Sequence, residues 1–290
     1  MKNIKEQLLK AKEAHHQFKF CPSYYNHHLP EKCSIANHPD NFLKNKGNFW
    51  GFPYDHNLIS SIPEYINASP MKFNTRCYIA AQGPRTNTLP AFWEMIIEEK
   101  CSLIISVTNE REEGKPIGFR FKFNRFWPDF GFKTYGKVKV MLHEEQLAHK
   151  WNDGREEKIR VRKFAVSRGT HETFVTHVHM ENWPDNGVVL PESLVTLSKW
   201  ADSVYTSGPI VVHCAAGVGR TGTFIAFHSL YHDLMQQLSQ GQEPAIDVPN
   251  RIHEMRKLRW GAMVADLKQY ELIIDALLLQ IEMNTSPVKN

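Results

Sequence analysis

No stretch of the 290-residue sequence approaches the roughly 18 consecutive apolar residues that a membrane span needs, so no transmembrane segment is expected. Cysteine is scarce. The five residues, Cys21, Cys33, Cys77, Cys101 and Cys214, are scattered, odd in number and without a Cys-x-x-Cys spacing. That disfavours both a disulfide framework and a cysteine-based zinc site. With a charged start, "MKNIKEQLLKAKEAHH", and no leader-like segment, it predicts a reducing, cytoplasmic setting. Neither charge sign dominates: 35 Lys+Arg against 31 Asp+Glu give a formal +4. This is too weak for a nucleic-acid footprint, so no nucleic acid is expected as a partner, yet it suits phosphorylated or acidic ligands. Internal repeats and low-complexity blocks are absent. Histidine is plentiful at 15, but His15/His16, His27/His28 and His177/His179 have no carboxylate or cysteine at ligand spacing, and no metal is expected.

What is present is ordinary globular material, 42% hydrophobic and 23% charged. It predicts one monomeric domain over 1–290, with a core over about 40–282, a helical extension over 1–39 and a disordered tail over 283–290. Residues 3–18 read as an amphipathic helix, and 20–65 mostly as loop. "CYIAAQGP" and the apolar run "SLIISVT" predict strands, the second buried on both faces. "LPAFWEMIIEEK" predicts a helix. From 118 to 180 the pattern alternates with period two, most clearly in "KIRVRKFAV" and "ETFVTHVHM". Helical periodicity then takes over. Pro191 opens a helix with Leu194, Leu197, Ala201 and Val204 on one face, and Gly208 is expected to stop it. "PIVV" predicts a short strand, followed by helices from about 221, around "NRIHEMRKLR" and over 266–282. Strands in the middle and helices late predict an α+β fold, a mixed β-sheet flanked by α-helices.

The stretch "VVHCAAGVGRTGTF" (211–224) concentrates the chemistry. A buried strand, a glycine loop and a helix N-terminus make an anion cradle, because backbone N–H groups and the helix dipole converge there. The spacing also reads Gly-x-Gly-x-x-Gly (Gly217, Gly219, Gly222). A dinucleotide site, however, needs a second strand with an acidic residue about 20 positions on, and here 225–240 continues as helix. An NTP loop needs a Lys-Ser/Thr pair after the glycines, which is absent. A thiol at the mouth of such a cradle should be a thiolate near neutral pH. Arg220 can fold its planar guanidinium over the same phosphoryl group, and Thr221 can donate its hydroxyl to the sulfur. With the glycines, His213 and Arg220 in place, Cys214 reads as a nucleophile rather than as core packing.

His-Cys, five residues, Arg, then Thr-Gly resembles the signature of the protein tyrosine phosphatases. "EYINAS" (64–69), "YIAAQGP" (78–84), "FWEM" (92–95), "FKFNRFWP" (121–128), "NWPDNGV" (182–188) and "MRKLRWGAMVADLKQYELI" (255–273) resemble the family's other landmarks in the same order. The resemblance implies a highly twisted mixed sheet flanked by helices, no cofactor, and phosphotyrosine-containing proteins as partners. It implies Cys214 as nucleophile, Arg220 as phosphate clamp and Asp185 as general acid and base, with Trp183 anchoring the mobile acid loop. His213, Ala215, Ala216, Gly217, Val218 and Gly219 would line the phosphate. Lys122 matches a lysine that pairs with the acid-loop aspartate, and Gln269 a glutamine beside the site.

Several positions depart from the family pattern. Ala215 stands where serine is common, and Asn186 and Val189 where an aromatic or histidine and a proline are usual. In "KNKGNFWGFPYDHNLI" (44–59) Lys44, Asn45 and Asp55 remain, but the ring-stacking tyrosine is missing, leaving Asn48, Phe49 or Trp50 to contact substrate. Ala265 replaces the glutamine that would place the hydrolytic water. Three readings follow: an active tyrosine phosphatase, a phosphotyrosine trap with impaired turnover, and a dual-specificity or lipid phosphatase. The basic cluster Arg251, Arg256, Lys257 and Arg259 reads either as an aid to acidic substrates or as structural arginines. In its compactness and departures the chain resembles phosphatases carried by viruses of insect parasitoids.

Overall fold

A computed structural model describes residues 2–14, 31–45, 51–113, 119–185 and 187–285. In chain order the elements are helix α1 (Lys2–Glu13), helix α2 (Pro39–Phe42), strand β1 (Gly51–Pro53), strands β2 (Ala68–Lys72) and β3 (Cys77–Ala81), and helix α3 (Leu89–Glu98). Then come β4 (Leu103–Ser106), β5 (Arg111–Glu113), β6 (Phe119–Phe121), β7 (Phe132–Tyr135), β8 (Val138–Lys150), β9 (Lys158–Arg168) and β10 (His171–Glu181). The chain closes with α4 (Pro191–Val204), β11 (Ile210–His213), α5 (Gly219–Ser239), α6 (Val248–Leu258), β12 (Arg259–Gly261) and α7 (Leu267–Thr285).

Eight strands form one mixed sheet in the order β2-β3-β11-β4-β10-β9-β8-β7. β3, β11, β4 and β10 are mutually parallel at its centre, and antiparallel strands flank them. The apolar runs explain why those strands are central. Along β11, Ile210 and Val212 face one hydrophobic cluster and Val211 the other; Leu103 and Ile105 of β4 oppose Ile104 in the same way. A strand with apolar side chains on both faces is stable only with a layer on each side. One layer contains α3; the other contains α4 to α7 and α1. The fold is α+β, as expected.

Prolines near the starts of α3, α4 and α6 suit positions whose N–H has no helical partner anyway, and Asp247 caps α6 by accepting from the Asn250 amide. Two boundaries differ from expectation. α4 stops at Val204 because Tyr205 turns extended (φ −69°, ψ 131°), three residues before Gly208. Gly208 serves the next turn instead, at φ +74°, where a Cβ would lie 2.1 Å from the Lys100 carbonyl oxygen. α7 runs on through Thr285, so 283–285 of the expected disordered tail are helical, carried by its core stripe Tyr270, Ile274, Leu277 and Ile281. α1 joins the main core: Ile4 and Leu8 are fully buried, and Lys5 and Lys12 pair with Glu282 and Asp275 of α7.

Candidate active site

β11 ends at the carboxyl edge of the parallel strands, where an open sheet leaves a crevice. Cys214 follows it directly, and the loop 214–218 leads into α5. The loop's carbonyls account for its shape. His213 Nδ1 lies 3.3 Å from the Cys214 carbonyl oxygen, and the Gly83 amide donates to that of Ala215 at 3.2 Å. The Arg259 guanidinium donates to the carbonyls of Ala216 at 3.1 Å and Gly217 at 2.9 Å. In a trans peptide the C=O and the next N–H point oppositely. Carbonyls tied outward therefore turn the amides of 215–218 inward, toward the space over Cys214. Gly217 makes the turn at φ +73°, with the Ala81 carbonyl oxygen only 2.2 Å from where a Cβ would stand. Gly219 opens α5 and adds the helix N-terminus.

The three buried cysteines among the described residues separate sharply. Burial pushes the Cys33 thiol up to about 12 and raises Cys101 as well. Burial also opposes ionisation of Cys214, but the Arg220 charge, the Thr221 hydroxyl and the amides of Thr221 and Val218 outweigh it and hold the thiol below its usual range. Thr221 Oγ1 is buried and finds no other hydrogen-bond partner, so nothing competes for its proton. His213 is buried and neutral, its pKa brought down to about 3 chiefly by burial. Its Nε2 lies 2.6 Å from the Ser106 hydroxyl, itself 2.7 Å from His177 Nε2, so the loop rests on a buried polar column.

Arg220 is 4% exposed, and its guanidinium donates to Glu112 at 2.7 Å, to the Trp183 carbonyl at 2.8 Å and to Asp185 at 3.1 Å. Lys122 pairs with Asp185 and lies 3.0 Å from Glu112. Two cations and two carboxylates thus balance beside the cradle, and the expected Lys122–Asp185 contact is made. Trp183 is fully buried and its indole N–H donates to the Gly187 carbonyl at 3.2 Å, bridging the two sides of the loop that carries Asp185. The loop's start is fixed by Asn182 at φ +66°, whose amide N–H donates to Asn109 while the Asn109 side chain donates back. Asparagine tolerates this left-handed backbone better than most side chains.

Gln269 and Ala265 face the start of α5. A Cβ on Gly219 would lie 3.2 Å from each, and the Gln269 side chain accepts from the Ala265 amide at 2.8 Å. Asp55 is committed elsewhere: its carboxylate accepts from the Ser34 amide and hydroxyl and from the Ile35 amide, at 2.7 to 3.0 Å. Asn48, Phe49, Trp50 and Asn186 lie outside the described residues. Val189 is buried.

A family model described as Protein-tyrosine phosphatase matches residues 49–279. The chain belongs to the protein tyrosine phosphatase family. It is 33% identical over 228 residues to Tyrosine-protein phosphatase 2 of Dictyostelium discoideum, covering 78% of this chain and 56% of that protein. It is 35% identical over 251 residues to human Receptor-type tyrosine-protein phosphatase C, covering 81% of this chain and 18% of the relative. Human Receptor-type tyrosine-protein phosphatase alpha is 32% identical over 267 residues, 85% of this chain and 30% of the relative. The chain therefore spans about half the length of the first relative and less of the receptor-type proteins. Among the described residues no helix is long and apolar enough to cross a membrane.

The phosphatase landmarks did not single out three features of the site. Glu112 sits in a charged run, "NEREEG", where one carboxylate looks like the next; only the fold aims it at Arg220. Arg259 was one of four basic residues in the cluster. Buried, and with its pKa drawn down to about 10 by desolvation, it holds two loop carbonyls together with Asn67 and Ser69. Its neighbours are likewise structural: Arg251 pairs with Asp233, and Arg256 donates to the Met263 and Val264 carbonyls. Gly83 closes the loop through its amide.

Proposed function

We propose that the chain hydrolyses phosphotyrosine in proteins through a cysteinyl-phosphate intermediate. The observation that carries this reading is a buried, pKa-lowered Cys214 under a loop whose carbonyls are all tied outward. The thiolate attacks phosphorus, forming the S–P bond as the P–O bond to the phenol breaks. Protonated Asp185 gives its proton to the departing oxygen, and Arg220 exchanges its carboxylate partners for two phosphoryl oxygens. Water then attacks phosphorus while Asp185 takes a proton, and the S–P bond breaks to return the thiolate and inorganic phosphate. Ser106 and His177 support His213 beneath the loop and take no part in proton transfer.

The test is phosphate release from a phosphotyrosyl peptide. Multiple turnovers by the intact chain, lost on Cys214→Ser and reduced about 10²- to 10⁴-fold on Asp185→Asn, support the proposal. Release that survives Cys214→Ser overturns it.

A second reading rests on Ala265. Its methyl group offers no hydrogen bond to an attacking water, and Gln269 is held by the Ala265 amide. Formation of the phosphoenzyme would then outpace its hydrolysis, and the domain would retain phosphotyrosyl partners. Stopped-flow release from an aryl phosphate is expected to show a burst of about one equivalent followed by a slow phase. A linear progress curve would rule this reading out.

A further inference from the structure

Between α4 and α5, three metal-capable side chains converge. His228 and His232 are four residues apart on α5, so they share a face, and Asp202 of α4 lies against them. Asp202 Oδ1 is 3.2 Å from His228 Nε2 and 2.8 Å from His232 Nε2, and all three ligand atoms lie within 4.8 Å of one another. For bonds of about 2.0–2.1 Å, the edge of a tetrahedral zinc shell is roughly 3.3 Å. The two carboxylate–imidazole spacings, 3.2 and 2.8 Å, lie close to that edge.

The second observation is the burial and fixed orientation of His228. His228 is fully buried, and its Nε2 faces the Asp202 carboxylate oxygen at 3.2 Å. The rest of its ring is locked: Phe224 stacks on it at 5.2 Å, and the Tyr78 hydroxyl lies 2.7 Å from Nδ1. Arg76, 3.9 Å away, is beyond hydrogen-bond reach of the ligand oxygen. Asp202 and His232 are partly exposed, which leaves an approach for an ion and a fourth position for water.

We propose that Asp202, His228 and His232 form a binding site for a divalent transition ion, zinc being the best match, that clamps α4 to the helix leading out of the phosphate loop. Two imidazoles and one carboxylate suit zinc and disfavour magnesium and calcium, which prefer oxygen. In the bound form Nδ1–H of His228 donates to Tyr78, which fixes the tautomer and aims Nε2 at the ion. The pattern was invisible in sequence because the carboxylate comes from a different helix.

Zinc ion alone is the probe, titrated calorimetrically into the full chain carrying Cys214→Ser, which removes the competing thiolate. We expect one zinc per chain, a melting temperature that rises with zinc, and a four-coordinate absorption band with cobalt(II). His232→Ala and Asp202→Asn, both partly exposed and expected to fold, should each weaken binding more than about 100-fold, beyond the 10- to 100-fold loss expected for Tyr78→Phe. Absence of zinc binding to the folded protein, or unchanged affinity in both ligand variants, would overturn the proposal. Neither result depends on phosphatase activity.

Discussion

Cys214 and Arg220 form one electrostatic unit, and it can be tested through the thiol. Burial raises the thiol, and the guanidinium is the foremost of the groups that bring it below 9.0. The pH profile of iodoacetate inactivation should therefore have its midpoint below 9.0, with the protonated thiol inert at lower pH. Arg220→Ala should move that midpoint up by about 1–3 pH units. An unmoved midpoint would assign the shift to the loop amides and Thr221 alone. At this scale the sequence was readable where one residue type has one strong use, as with a cysteine before glycines and an arginine six positions on. Glu112 and Arg259 were not, because a carboxylate in a charged run and an arginine in a basic cluster acquire their roles only from partners far along the chain.

Among the elements, α1 shows most clearly how packing exceeds pattern. Its periodicity predicted an amphipathic extension, yet Ile4 and Leu8 are fully buried in the same cluster as Phe224 and Ile274. Leu8→Ala should cost about 2–5 kcal/mol in urea unfolding, as for a buried leucine elsewhere, while leaving turnover of an aryl phosphate unchanged. A loss below about 0.5 kcal/mol would mean that α1 does not pack on α7 in solution. The longer strands and helices were legible because their periods are local, whereas the short β1, β2 and β12 carry too few residues to show one. The end of α4 was not: glycine at 208 suggested a stop, but Tyr205 turned extended first, and its hydroxyl donates to the Gly208 carbonyl at 3.0 Å.

For the whole molecule, buried histidines set the acid response. His177, His179 and His213 are all buried; His179 is brought down to about 4 and His213 to about 3 by burial, and His177 is lowered too. Each is neutral in the fold down to its lowered value, whereas the unfolded chain takes up protons from about 6.5 downward. Between those limits the unfolded state binds more protons, so stability falls as pH drops from 6.5 toward 4, by up to about 1.4 kcal/mol per pH unit for each histidine. Carboxylates held below their usual range, such as Asp202 and Glu181, add their loss only below about 4. Urea unfolding at pH 6.5, 5.5 and 4.5 should show the slope, and a flat profile would refute it.

By itself the sequence determined the α+β class, the order of the longer elements though not α2, β1, β2 or β12, the strand–loop–helix cradle and the candidate nucleophile with its clamp, because each rests on periodicity or spacing within some ten to twenty residues. Only the tertiary structure decided which carboxylate meets Arg220, which arginine braces the loop, that α1 belongs to the core, and that Asp202 joins His228 and His232. Those pairings link residues from 26 to more than 200 positions apart, such as Asp202 with His228 and Lys5 with Glu282. Long-range contacts of that kind are set by how the sheet and its helices stack, and no local pattern encodes them.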